Sequence, residues 1–199
     1  MHGAGSDLFA PIDDGATPLD PDECAGLIPD WVATRSDLNL AEQANIEKGL
    51  RWARRAHPLG GVLDEARLFE LHRRMFNEVW TWAGKPRRSE RNIGVAPHAI
   101  RPQLRQLHDD VDAWAAFNTY ASRERAARYH HRLVQIHVFA NGNGRHAREM
   151  ADWLLRQCGE APFTWGSGLP IAQARDQYIA ALRAADAHDL APLLEFLAA

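Results

Sequence analysis

The segment His137-Val138-Phe139-Ala140-Asn141-Gly142-Asn143-Gly144-Arg145-His146-Ala147-Arg148 constrains this chain more than any other. Two glycines flank an asparagine between two apolar stripes of helical period. Upstream, Tyr129, Leu133 and Ile136 run into His137. Downstream, Ala147, Met150, Ala151, Leu154 and Cys158 follow the i, i+3, i+4, i+7 spacing, and Gly159 offers a stop. The pattern predicts helix, short loop, helix, with polar residues gathered in the loop. Glycines let backbone N–H groups approach an anion, and a helix N-terminus adds unsatisfied donors and a favourable dipole. Arg145 and Arg148, three apart, add fixed positive charge on one helix face. His137 can take a proton near neutral pH. A base, an anion cradle and two arginines together point to phosphoryl or nucleotidyl transfer.

The remaining patterns also predict helices, and hence an all-α bundle. Pro21 with Asp22 and Glu23 starts a short helix. A second helix is expected from Asn39 to about His57, with Ile46, Leu50 and Ala53 on one face. Asp64 reads as the N-cap of a third, with Leu68, Leu71, Met75 and Val79 inward. Pro102 opens a helix with Leu104, Leu107, Val111 and Trp114 aligned. Ile171, Ala174, Tyr178 and Leu182 mark another, and Asp189 caps a last short one. Residues 82–100 hold Gly84, Pro86, Gly94 and Pro97, which predicts a loop or a short β-hairpin. The expected organisation is a mobile arm over 1–20, an N-terminal helical segment over 21–60 and a core domain over 61–199.

Charge and cysteine content narrow the partners. A net charge of −3 argues against a broad nucleic-acid footprint. Cys24 and Cys158 are too few for a disulfide framework, which suits a reduced compartment. No apolar run approaches the roughly 20 residues that span a bilayer, and the first residues lack a secretory core. Cytoplasm, with no membrane and no nucleic-acid partner, is the expectation.

The motif resembles that of the Fic family, His-Pro-Phe-x-(Asp or Glu)-Gly-Asn-Gly-Arg-x-x-Arg, at His137, Phe139, Gly142, Asn143, Gly144, Arg145 and Arg148. Trp82-Ala83-Gly84, Arg87 and Asn92-Ile93-Gly94 look like the family's approach to its substrate-aligning flap. The stretches from Thr17 to Glu23, Leu27-Ile28-Pro29 and Glu42-Gln43-Ala44-Asn45-Ile46 resemble the subgroup named mobile mystery protein B. The resemblance implies a Fic-type helical bundle with a short β-hairpin flap at Asn92, Ile93 and Gly94. It implies transfer of AMP from ATP to a Ser, Thr or Tyr hydroxyl of a target protein. His137 would be the catalytic base. Gly142, Asn143 and Gly144 would hold the α-phosphate, and Arg145 and Arg148 the β- and γ-phosphates. Asn141 stands where the family has an acidic ligand for Mg²⁺ (or Mn²⁺), and an amide brings no negative charge. Many Fic proteins carry an inhibitory helix whose glutamate pairs with the second motif arginine, which assigns Glu42 to Arg148.

Each of these residues also has a plainer reading. Asn39 to Glu42 fits a capping box, a sufficient reason for a glutamate there. Asn143 could be an N-cap. Arg145 could pair with Glu149, and Arg148 with Asp152, at i, i+4. His130, His131 and His146 with Asp152 lack zinc spacing and read as surface or packing residues. Tyr178 reads as core, with a place beside adenine by resemblance only. Two further functions compete with adenylylation. One is a catalytically silent nucleotide-binding or interaction module, favoured by Asn141. The other is transfer of a different phosphate-containing group.

Overall fold

The computed structural model describes residues 19–55 and 64–198, and its regular elements are helical. In chain order they are α1 (Pro21–Cys24), α2 (Arg35–Arg55), α3 (Glu65–Phe76), a 3-10 turn (Pro97–Ala99) running into α4 (Ile100–Ala116), α5 (Ser122–Ile136), α6 (Asn143–Gln157), α7 (Ile171–Asp186) and α8 (Ala191–Ala198). The expected arm over 1–20 lies almost wholly outside the described residues. None of the described helices is long and apolar enough to cross a membrane.

Local chemistry explains the boundaries. Asp64 caps α3 by accepting the Ala66 N–H at 2.8 Å, and Asp189 accepts the Ala191 N–H at 3.1 Å ahead of α8. Helix α2 starts four residues before Asn39. Thr34 N–H donates to Asp37 Oδ2 at 2.9 Å and Asp37 N–H donates to Thr34 Oγ1 at 3.2 Å, a reciprocal box. Asn39 therefore sits inside the helix, and the box expected between Asn39 and Glu42 does not form. Helix α4 begins at Ile100 rather than Pro102. Pro102 occupies its first turn, where a missing N–H breaks no ladder bond.

Of the two forms expected for residues 82–100, a loop or a short β-hairpin, the described residues show the loop. Among the described residues the one extended pairing is an isolated bridge between Leu27 and Trp80. Residues 82–96 are turns and irregular backbone. A buried arginine, Arg87, holds them instead, as described below.

Helix α6 carries the most buried residues of the described helices. It packs against α5 and α3; α5 also meets α4 and α8, and α2 lies along α3. Leu68, Leu71, Met75 and Phe76 of α3 are fully buried, as are Tyr129 and Ile136 of α5 and Ala147, Met150 and Ala151 of α6. Burial of this apolar surface is the main stabilising term. Helix α6 also buries two acids, and burial raises the pKa of both. Each has a partner other than the i−4 arginine: Glu149 pairs with Arg156, while Asp152 accepts the Phe163 N–H at 3.0 Å and the Trp165 indole N–H at 2.8 Å. The i, i+4 pairs Arg145–Glu149 and Arg148–Asp152 thus do not form.

Candidate active site

The loop between α5 and α6 is held from three sides. Helix α5 ends at His137, whose φ of 53° is left-handed. Histidine tolerates that region better than bulky or branched residues do. The following residues, Val138, Phe139 and Ala140, are buried. The Phe139 ring stacks on His72 of α3 at 3.6 Å. His72 Nδ1 accepts the Gly84 N–H at 2.9 Å, so its proton lies on Nε2, which donates to the Asn141 carbonyl at 3.0 Å. Burial holds the His72 pKa well below its ordinary value, in keeping with this neutral tautomer.

Asn143 is the first residue of α6 rather than its N-cap. Its side chain reaches back, accepting the Phe139 N–H at 2.8 Å and donating to the Phe139 carbonyl at 2.8 Å. It ties the loop closed. The His146 N–H bonds Gly142 O at 3.0 Å. The N–H groups of residues 143–145 precede that bond, at the positive end of the helix.

Gly142 has φ 77°, and a Cβ there would stand 2.4 Å from Phe76 Cζ. Gly142→Ala should therefore cost about 2–4 kcal/mol, the sum of a left-handed residue and an overpacked core. Chemical denaturation checks this.

Two adjoining cavities open on the loop. The first, of about 320 Å³, is lined by His137, Asn141 to Arg145, Arg148, and by Arg175, Tyr178 and Ile179 of α7. The second, of about 540 Å³, shares His137, Asn143, Gly144, Tyr178 and Ile179 and is walled by Asn92, Ile93, Gly94 and Val95. A Cβ on Gly94 would stand 2.6 Å from His137 Cβ, so this wall touches the histidine directly. Arg87 fixes it there. Arg87 Nε donates to the His137 carbonyl at 2.7 Å, Nη1 to the Ser89 carbonyl at 2.8 Å and Nη2 to the Val95 carbonyl. Arg91 in the same segment pairs with Asp20 at 3.0 Å and with Glu23.

Glu42 reaches this site from α2. Glu42 is 6% exposed, and its two carboxylate oxygens take different partners. Oε2 pairs with Arg145 Nη1 at 3.0 Å, and Oε1 accepts the Trp80 indole N–H at 2.9 Å. The partner is the first motif arginine, not Arg148 as expected. The Arg148 guanidinium lies instead over the rings of Tyr178, at 4.5 Å, and Trp165, at 5.5 Å. Tyr178 is both core and cavity wall, and its hydroxyl bonds His130 Nε2 at 2.9 Å.

Burial, with help from Arg87 and Arg91, pushes the His137 pKa down to about 4. The ring is neutral at pH 7. Burial likewise lowers His146 to about 4 and His130 to about 3. Unfolded, these groups protonate near pH 6.5. Below that pH the unfolded chain binds more protons than the folded one. Stability is thus full above pH 6.5 and is lost as pH falls toward the folded values. The melting temperature should be flat from pH 7 to 8 and drop by on the order of 10 °C between pH 6.5 and 4.5.

A divalent cation fits this site poorly. Mg²⁺ is usually held through one or two carboxylates plus phosphates. Among the described residues no carboxylate lines the first cavity, and no group of three His, Cys, Asp or Glu could hold a metal. The Asn141 side-chain oxygen already accepts the Gly142 N–H at 2.6 Å. The positive charge facing the cavity is supplied by arginines.

His72, Trp80 and Arg175 shape the site without a motif to announce them. The sequence signal for His72 is a lone histidine within the apolar stripe of α3. Trp80 and Arg175 meet the site only through tertiary packing.

These features define a helical domain with an anion cradle at the N-terminus of a buried helix and a neutral histidine beside it. The chain belongs to the Fic/DOC family, whose match covers residues 62–155. It is similar to protein adenylyltransferase fic-1 of Caenorhabditis briggsae, 36% identical over 138 residues, and to fic-1 of Caenorhabditis elegans, 32% identical over 136 residues. Each match covers 66% of this chain and 26% of the relative, so the chain spans about a quarter of their length. The solved structure of C. elegans Fic-1 superposes with a TM-score of 0.63 at 25% identity, covering 87% of this chain and 50% of that one. The N-terminal Fic domain of a VirB-translocated Bep effector from Bartonella quintana, with bound ADP, shares the fold. Its TM-score is 0.68 at 18% identity, with 85% and 86% of the two chains covered.

Proposed function

We propose that this chain is a protein adenylyltransferase that moves AMP from ATP to a hydroxyl side chain of a target protein and is held back by Glu42. One observation carries the reading. A neutral, buried histidine opens into a cavity bounded by a helix N-terminus and by Arg145, Arg148 and Arg175. The names of the relatives and the ADP in the Bartonella domain support the same chemistry.

In this reading the triphosphate lies in the first cavity. The N–H groups of Gly144 and its neighbours and the α6 dipole meet the α-phosphate, and Asn143 keeps that turn in shape. Arg145, Arg148 and Arg175 meet the β- and γ-phosphates. The target hydroxyl (Ser, Thr or Tyr) approaches along the wall of Asn92, Ile93 and Gly94. His137 takes its proton, the oxygen attacks the α-phosphorus, and pyrophosphate leaves. The protein's contribution is positioning and electrostatic stabilisation. While Glu42 holds Arg145, one phosphate ligand is occupied and a negative charge stands near the γ-phosphate position. The free thiols of Cys24 and Cys158 suit action in the cytoplasm.

Parallel incubations with α- and γ-labelled ATP test the chemistry. Label retained on protein from the α position only is the expected result; retention from γ would mean phosphorylation. The absence of a carboxylate at position 141 favours a second reading, a nucleotide-binding module that does not transfer. Asn141→Asp separates the two. In a Glu42→Gly background it should raise Mg²⁺-dependent transfer by roughly tenfold, because an anionic ligand joins the phosphates. A silent module would bind nucleotide with either residue and transfer nothing.

A further inference from the structure

Trp80 is the least expected partner of the site. It is 1% exposed and stacks on Trp82, whose ring centroid lies 5.0 Å away. Trp82 is tied to α1 by its indole N–H, which donates to the Glu23 carbonyl at 3.0 Å. The Leu27 bridge fixes the Trp80 backbone. The Trp80 indole is therefore held rigidly, with its N–H aimed at Glu42 Oε1 at 2.9 Å.

That contact decides where the second oxygen points. A glutamate has three rotatable bonds, and its carboxylate can turn away from a half-exposed arginine. Arg145 is 42% exposed and its long side chain can swing, so their ion pair alone would be weak. A buried neutral donor changes this balance. It anchors one oxygen, and it would be left unsatisfied if the carboxylate departed. With Oε1 on Trp80, Oε2 faces Arg145 at 3.0 Å.

We infer that Trp80 is a positioning residue that sets the strength of the Glu42 lock: its indole N–H holds the carboxylate on Arg145 and so keeps the triphosphate from using that arginine. The inference rests on the reading of Glu42 as a lock. It adds that the lock is a three-membered unit whose strength is tuned from Trp80, without touching the cavity.

The test is a double-mutant cycle on the full chain, read by ATP calorimetry. The variants are Trp80→Phe, Glu42→Gly and the pair, with melting temperatures taken in parallel. Trp80→Phe keeps an aromatic ring and removes the donor. It should tighten ATP binding by roughly three- to tenfold while Glu42 is present, and change it less than twofold once Glu42 is gone. Replacing Trp80 by benzothienylalanine, an isostere without the N–H, should reproduce the gain with little loss of packing. A purely structural role predicts equal effects in both Glu42 backgrounds and none from the isostere, and either result overturns the inference. If Glu42→Gly itself leaves ATP affinity unchanged, the lock fails and this inference falls with it. If Glu42→Gly tightens binding but neither Trp80 change does, only the role of Trp80 is lost.

Discussion

Glu42→Gly should raise the rate of AMP self-labelling by roughly ten- to a hundredfold, the range expected when a charge-assisted contact that competes with substrate is removed. The same change should lower stability. It leaves the buried Trp80 N–H without its acceptor, at about 1–3 kcal/mol, and puts a glycine inside α2, at about 1 kcal/mol. Activity rising while the melting temperature falls is the expected signature. A glutamate that served only the fold would lose stability and gain no activity. Helix capping is no longer an alternative explanation, because α2 starts at Arg35 and Glu42 lies two turns inside it.

His137→Ala should have the opposite effect on rate. Loss of a general base costs about 10²–10⁴-fold, so transfer should fall to background in either Glu42 background. ATP affinity should stay within roughly threefold, since arginines and backbone N–H groups form the phosphate site. Some stability will also go, because alanine is less tolerant than histidine of the left-handed backbone at this position. Calorimetry together with a labelling assay separates lost chemistry from lost binding. The pH profile gives a second check. With a pKa pushed down to about 4, His137 is already neutral at pH 6. The rate should not fall between pH 7.5 and 6, as it would for a histidine titrating near its ordinary value.

Much of this arrangement was legible in the chain, for identifiable reasons. The motif helices announce themselves through unbroken 3.6-residue periodicity on both sides of Gly142 and Gly144. The cap at Asp64 was legible because it is local, with donor and acceptor two residues apart. The start of α2 was not, because two polar pairs compete. Thr34 with Asp37 and Asn39 with Glu42 both have capping-box spacing, and only tertiary burial of Glu42 chooses between them. The hairpin flap was what the resemblance implied, while glycine and proline density left loop and hairpin both open. In the fold, Arg87 satisfies the carbonyls of His137, Ser89 and Val95 with one guanidinium, which replaces a strand ladder. Sequence resemblance assigned Glu42 to Arg148. The choice of Arg145 depends on how α2 lies along α3 and on Trp80, a partner 38 residues away in sequence.

The most direct measurement follows the intact mass of the Glu42→Gly protein during incubation with ATP, alongside Glu42→Gly/His137→Ala. A time-dependent increment of one AMP per modified site is expected in the first and none in the second, with both proteins binding ATP. An unmodified Glu42→Gly protein that binds ATP normally, in the presence of either Mg²⁺ or Mn²⁺ and with target lysates added, would contradict adenylyl transfer and leave a nucleotide-binding module in its place.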